Sequence, residues 1–324
     1  MSIVERPATS TIPPLKPGRA IEGISAVLLP YKSEDQPDWE SFRRLLDGTW
    51  SAGLTPAVNM DTGYVNLLTP AERERVLSET AEVSRTRGFV AGAFIEGEQG
   101  DPAAAYLRAI KQIRARGGTP ILFQTAALGE TSEQHVLDAY ARVAQSGGPL
   151  LAFELGKMFA PFGRIYSEDF FQRLLDLDAF TGLKHSSLDR DLEWRRLEIR
   201  DRHRPAFKLY TGNDLAIDMV FYGSDYLLGL SAFAVDAFAL RDRLWAAGDP
   251  AAMPLNDLLQ YLGQIAFRAP VPGYKHSAAQ FLKLRGFISG DRPHPRSPRR
   301  PESDVALLDD IRERLEAVLA SHAS

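Results

Sequence analysis

Between residues 23 and 248, short apolar runs alternate with segments of helical periodicity, eight times in succession. The runs are Ile24–Leu29, Pro56–Met60, Phe89–Ile95, Pro120–Gln124, Leu150–Leu155, Phe180–His185, Phe207–Thr211 and Tyr226–Leu230. In the first helical segment Trp39, Phe42, Leu46 and Trp50 follow the 3.6-residue period of one buried face. The second opens on Thr69-Pro70-Ala71-Glu72. There threonine can cap, proline sits where its missing N–H costs nothing, and glutamate can reach back to the cap. Strands separated by helices must run parallel, because a helical crossover returns the chain to the same end of the sheet. Eight such units predict a closed (β/α)8 barrel. The competitor, a doubly wound open sheet, finds no support: no Gly-x-Gly-x-x-Gly follows the first run and no phosphate loop occurs.

Either side of this repeat the pattern changes. Residues 1–22, with Pro7, Pro13, Pro14 and Pro17, read as an irregular arm. Residues 249–324 read as a helical appendage to the 23–248 barrel, with helices expected at Pro254–Arg268, Lys275–Phe287 and Asp304–Leu319. Gly290–Pro301 holds four prolines and four arginines and is expected to be a solvated loop. No aromatic residues interleave with those arginines for nucleobase stacking. A net charge of −4 likewise argues against nucleic-acid or anionic-membrane partners. The absence of cysteine excludes disulfides, thiolate metal sites and a cysteine nucleophile. No cofactor motif appears, and the six histidines lack metal-ligand spacing. With neither a signal-like start nor an apolar run near the roughly 20 residues that span a bilayer, a cytoplasmic location is expected.

In barrels of this kind the chemistry sits at the carboxyl ends of the strands. That rule selects Asp61 and Thr62 after the second strand, Glu96 after the third, Gln124 after the fourth and Glu154 after the fifth. It also selects Lys184 and His185 on the sixth strand, and Asn213 and Asp214 after the seventh. Lys184 follows Phe180-Thr181-Gly182-Leu183, so its amine emerges from an apolar strand. Burial disfavours the ammonium form, and a free amine there can attack a carbonyl carbon to form an imine. The bland alternative is a lysine paired to Glu154 or Asp61 across the barrel mouth.

Several motifs in sequence order carry a resemblance. Gly23-Ile24-Ser25-Ala26-Val27-Leu28-Leu29-Pro30-Tyr31, Met60-Asp61-Thr62-Gly63-Tyr64, Leu68-Thr69-Pro70-Ala71-Glu72-Arg73, Gly182-Leu183-Lys184-His185-Ser186-Ser187 and Tyr210-Thr211-Gly212-Asn213-Asp214 resemble the motifs of one enzyme family. It is the dihydrodipicolinate synthase and N-acetylneuraminate lyase family, the class I aldolase-like barrels. The likeness runs from about Gly23 to near the C-terminus. It implies that Lys184 forms a Schiff base with a 2-oxo acid such as pyruvate, in a lyase, aldolase or dehydratase. It also implies a homotetramer built from dimers, and substrate contacts at Asp61, Thr62, Phe153, Tyr210 and Gly212.

The departures matter as much. The first threonine of the family's Gly-Thr-Thr-Gly-Glu is Asp61 here, and the tyrosine that relays protons from the fifth strand aligns with Phe153. An aspartate would repel a substrate carboxylate unless a cation or a proton intervenes, and phenylalanine cannot carry a proton. Dihydrodipicolinate synthase activity itself is therefore not expected. Glu154, beside the lost tyrosine, and Tyr64, after the second strand, are the expected replacements for proton transfer. Strand alternation could instead turn Glu154 outward to pair with Lys157 or Arg164, and Tyr64 could be an exposed aromatic at a subunit contact. Two rival functions stay open: a metal-dependent enzyme holding a divalent cation on Asp61, Glu96 and Glu154, and a non-catalytic ligand-binding relative.

Overall fold

Eight parallel strands close on themselves in sequence order in the computed structural model, which describes residues 12–33, 36–157 and 159–322. They are β1 (Gly23–Ala26), β2 (Thr55–Val58), β3 (Phe89–Ala93), β4 (Gly118–Leu122), β5 (Leu150–Leu155), β6 (Phe180–Ser186), β7 (Lys208–Thr211) and β8 (Asp225–Leu228). β8 pairs with β1, Gly23 opposite Tyr226, and that contact shuts the ring. The expected barrel is therefore the observed one. Alternation along each strand sorts the side chains. Ile24, Val90, Ile121, Leu151 and Leu227 fill the interior, while Leu122, Ala152, Leu183 and Leu209 pack outward against helices.

The crossover helices are α1 (Trp39–Ser51), α2 (Pro70–Ser84), α3 (Pro102–Arg114), α4 (Glu133–Ala144), α5 (Glu168–Leu175) and α6 (Arg190–His203). Each opens on a side-chain cap, supplied by Asp38, Thr69, Asp101, Ser132, Ser167 and Asp189 in turn. Such caps satisfy otherwise orphaned amides, typically for about 1 kcal/mol each. Thr69 and Glu72 form the full reciprocal box. The seventh crossover departs from the helical periodicity expected between strands: it is a 3-10 turn over Ile217–Tyr222.

After α7 (Val235–Ala246) come α8 (Ala252–Ala266), α9 (Tyr274–Leu284) and α10 (Asp304–Ser321). The Pro- and Arg-rich stretch between α9 and α10 is not a solvated loop. Arg300 is buried and donates to the carbonyls of Ala266, Arg268 and Ala269, closing the end of α8. His294 packs against the rings of Tyr31 and Tyr64, with centroids 5.4 and 5.6 Å away. Carbonyls left over at the end of a helix recruit the arginine, and composition alone does not reveal them. The first eleven residues of the expected arm lie outside the described residues. Its remainder crosses the amino end of the barrel, where Arg19 pairs with Asp225 at 2.9 Å.

Candidate active site

Lys184 lies on β6 opposite Phe153 of β5 and Tyr210 of β7. Its strand neighbours Leu183 and His185 face outward, so the lysine faces the interior at the carboxyl end. Its Nζ sits 4.5 Å from the centre of the Phe153 ring. Room for the side chain depends on Gly212: a Cβ there would lie 2.7 Å from Lys184 Cε and 3.2 Å from the carbonyl oxygen of His185. Burial pushes the ammonium down to a pKa of about 8, against the opposing charges of Asp214 and Asp61.

Asp214 follows β7 and accepts the Leu230 amide at 2.7 Å. Burial raises its carboxyl to about 6, which the Leu230 amide and the Lys184 charge only partly offset. Asp61 opens the 3-10 turn after β2. Its side chain is half exposed at the barrel mouth; partial desolvation there opposes its charge, yet the Lys275 ammonium, 2.9 Å from both carboxylate oxygens, holds it below the ordinary carboxylate range. The Tyr274 hydroxyl donates to Asp61 at 2.9 Å and lies 3.0 Å from Thr62 Oγ1. Its ring stacks on Phe267 with centroids 4.3 Å apart. Lys275 is only 3% exposed, so the cation that an aspartate needs at this position is supplied from within the fold. A cavity of about 350 Å3 opens beside this group, bounded by Asp61, Phe153, Phe123, Phe94, Arg73, Glu96 and the loop of Phe159–Phe162.

Three expectations for the site are corrected by the geometry. Glu154 faces out of the barrel, not toward Lys184. It is bound by His185 Nδ1 at 2.6 Å, Arg196 Nε at 3.1 Å and the Tyr166 amide at 2.9 Å. Burial alone would raise its carboxyl, but Arg196 and His185 hold it down to about 2. It takes neither the relay role nor the pairing to Lys157 or Arg164. Tyr64 is neither the expected proton-transfer group, since it does not line the cavity, nor an exposed aromatic. It is fully buried, with Lys275 Nζ 5.7 Å from its ring, and so backs the lysine that neutralises Asp61. Tyr210 lies inside the barrel but points the other way, its hydroxyl donating to Glu22 at the amino end at 2.6 Å.

The three acids of the metal reading are not brought together. Glu154 is outside, Asp61 is bound by Lys275, and Glu96 accepts from Thr125 Oγ1 and the Ala126 amide at 2.8 Å each. Among the described residues no group of three His, Asp or Glu side chains is placed to hold a metal ion. Gln124 bonds the backbone of Arg164 in the loop after β5. Asn213 joins the loops after β6 and β7, accepting the Leu188 amide at 2.9 Å and donating to the buried Glu193 at 2.8 Å. Tyr274 and Lys275 were missed by sequence reasoning. They belong to the appendage, some 90 residues after Lys184, and no strand end marks them.

A family model described as "Protein of unknown function (DUF993)" matches residues 25–294. A comparison with curated proteins returns no match. Among solved structures, dihydrodipicolinate synthase from Thermotoga maritima aligns over 92% of this chain and 99% of its own, with TM-score 0.78 and 18% identity. A prophage protein of the dihydrodipicolinic acid synthase family from E. coli K12, in complex with pyruvate, aligns over 91% and 98%, with TM-score 0.80 and 17% identity. The chloride-inhibited synthase from Acinetobacter baumannii, complexed with pyruvate, aligns over 92% and 99%, with TM-score 0.75 and 18% identity. At these identities the likeness is one of fold.

Proposed function

This chain belongs to the DUF993 family, and from that premise and the site above we propose that it is a class I lyase or aldolase in which Lys184 forms an imine with a 2-oxo acid. One observation carries the reading. An interior lysine at the carboxyl end of β6 is given space by Gly212, is depressed to about 8 by burial, and lies within electrostatic reach of Asp214 and Asp61. The neutral amine adds to the ketone carbon, water leaves, and the resulting C=N bond draws electrons from the adjacent carbon. Bond making or breaking at that carbon then needs a base.

Asp214 fits the requirement, since a carboxyl at about 6 both takes and returns a proton near neutral pH. Asp61 stays ionised on Lys275 and orients the Tyr274 hydroxyl, which supplies the phenolic proton that Phe153 lacks. The Lys275 ammonium also supplies the positive charge that a substrate carboxylate near Asp61 requires. With clamp and relay rebuilt in this way, condensation of pyruvate with aspartate semialdehyde is not the expected activity. Two of the similar structures hold pyruvate, which makes it the first acid to try.

The test is reductive trapping. Incubation with pyruvate and a panel of 2-oxo acids under borohydride should add the mass of one reduced adduct to the intact protein, and Lys184→Ala should abolish it. No gain across the panel, or a gain that survives in Lys184→Ala, overturns the reading. Light scattering tests the accompanying expectation of a homo-oligomer.

A further inference from the structure

From β5 toward α2 the cavity has one continuous wall. Lys184 Nζ lies 4.5 Å from the Phe153 ring, Phe153 and Phe123 meet edge to face at 5.0 Å, and Phe123 and Phe94 do so at 5.6 Å. At the far end the Arg73 guanidinium lies 5.3 Å from the Phe94 centroid. The wall is therefore aromatic between two cations. At one end Asp61 lines the cavity and Lys184 lies against the Phe153 ring, and at the distal end is Arg73.

Arg73 is not used up by the protein. Its Nη1 donates to the carbonyls of Leu68 at 2.6 Å and Val65 at 3.4 Å, and it makes no ion pair among the described residues. The acidic groups around it are committed elsewhere. Glu72 caps α2 through Thr69, Glu98 pairs with Arg108 at 2.7 Å, and Glu96 binds Thr125 and Ala126. A guanidinium with donors to spare, set on an aromatic face, suits a planar carboxylate.

We propose that this cavity takes a flat, apolar compound, its ring laid on Phe153, Phe123 and Phe94 and a carboxylate at its far end held by Arg73. This deepens the imine reading and rests on it for the chemistry at Lys184: the partner cleaved from or added to the 2-oxo acid is an aryl-type carboxylate rather than a polyhydroxylated one. A volume of about 350 Å3 suits a single ring with a short chain. A polyol laid on this wall would leave its hydroxyls facing phenylalanine edges, and desolvated hydroxyls without partners cost affinity.

Binding of unreactive probes tests this without any turnover. 3-Phenylpropionate, 3-phenylpropanol and gluconate are titrated by calorimetry into the full chain, into Lys184→Ala and into Arg73→Gln. The expected result is that 3-phenylpropionate binds both wild type and Lys184→Ala. It should bind about 10-fold or more tighter than either other probe, and lose about that factor in Arg73→Gln. Arg73→Lys should recover part of the loss. Gluconate binding as well as 3-phenylpropionate would overturn the proposal, and so would an Arg73→Gln protein that unfolds cooperatively yet binds like wild type. The wild-type preference for the acid over the alcohol reads the same contact with no mutation. Trapping and binding also fail separately: loss of the borohydride adduct with these affinities intact sinks the imine, and a trapped adduct with gluconate preferred sinks the aromatic partner.

Discussion

Replacing Asp214 by asparagine removes one negative charge from beside Lys184 and keeps an oxygen for the Leu230 amide, which Asp214 accepts at 2.7 Å. The change is thus electrostatic more than steric. Burial pulls the lysine down to about 8, while Asp214 and Asp61 both favour the ammonium. Losing Asp214 must therefore lower the lysine further. A facing charge typically moves a pKa by about 1 to 3 pH units, and a carboxyl that titrates near 6 is largely ionised at neutrality. At pH 7 a lysine with a pKa of about 8 is free amine roughly one time in ten. A fall of about one pH unit makes that roughly one in two, so trapping at pH 7 should accelerate about fivefold. The assay follows the rate of cyanoborohydride-trapped pyruvate adduct by intact mass from about pH 5 to about pH 9.5, with wild type expected to turn near 8. Turnover on the true substrate should move oppositely, falling about 10² to 10⁴-fold as the base disappears. A trapping midpoint that stays put or rises in Asp214→Asn would refute the argument, because the lysine would then not feel that carboxylate.

Glu154→Gln should leave trapping intact and cost about 3 kcal/mol or more of stability in urea unfolding, since it strands Arg196 in a buried site. In wild type the folded Glu154 carboxyl lies at about 2 against an ordinary 4.5, so its contribution is full above about pH 4.5 and is lost as pH falls toward 2. Thermal melts across that window check it. Gly212→Ala places a Cβ 2.0 Å from Ser186 Oγ and 2.7 Å from Lys184 Cε. Trapping should slow sharply, while overpacking costs about 1 to 3 kcal/mol. Unchanged trapping would mean the lysine does not need that space. Lys275→Met strips Asp61 of its counterion, so the Asp61 carboxyl should rise and the acid limb of the turnover profile should move to higher pH. A limb that does not move would remove Asp61 from the mechanism.

The barrel was legible in the sequence because it follows from local rules repeated eight times. Apolar runs, caps such as Thr69 and Asp189, and the parallel order that crossovers impose all act within some thirty residues. Lys184 was legible too, because inward placement on a strand is a matter of alternation and the strand itself was clear. By the same alternation Glu154 was always liable to face outward, and its register opposite His185 turned it there. Three things were decided only when the chain closed. Arg196 on α6 reached Glu154 and made it a structural anion. The tip of Tyr210 was drawn to Glu22 at the other end of the barrel. The appendage brought Tyr274 and Lys275 back, more than 200 residues along the chain from Asp61, to neutralise an aspartate that by sequence alone looked incompatible with an acidic substrate. Charge pairing and burial depend on distance through space, and sequence patterns record distance only along the chain.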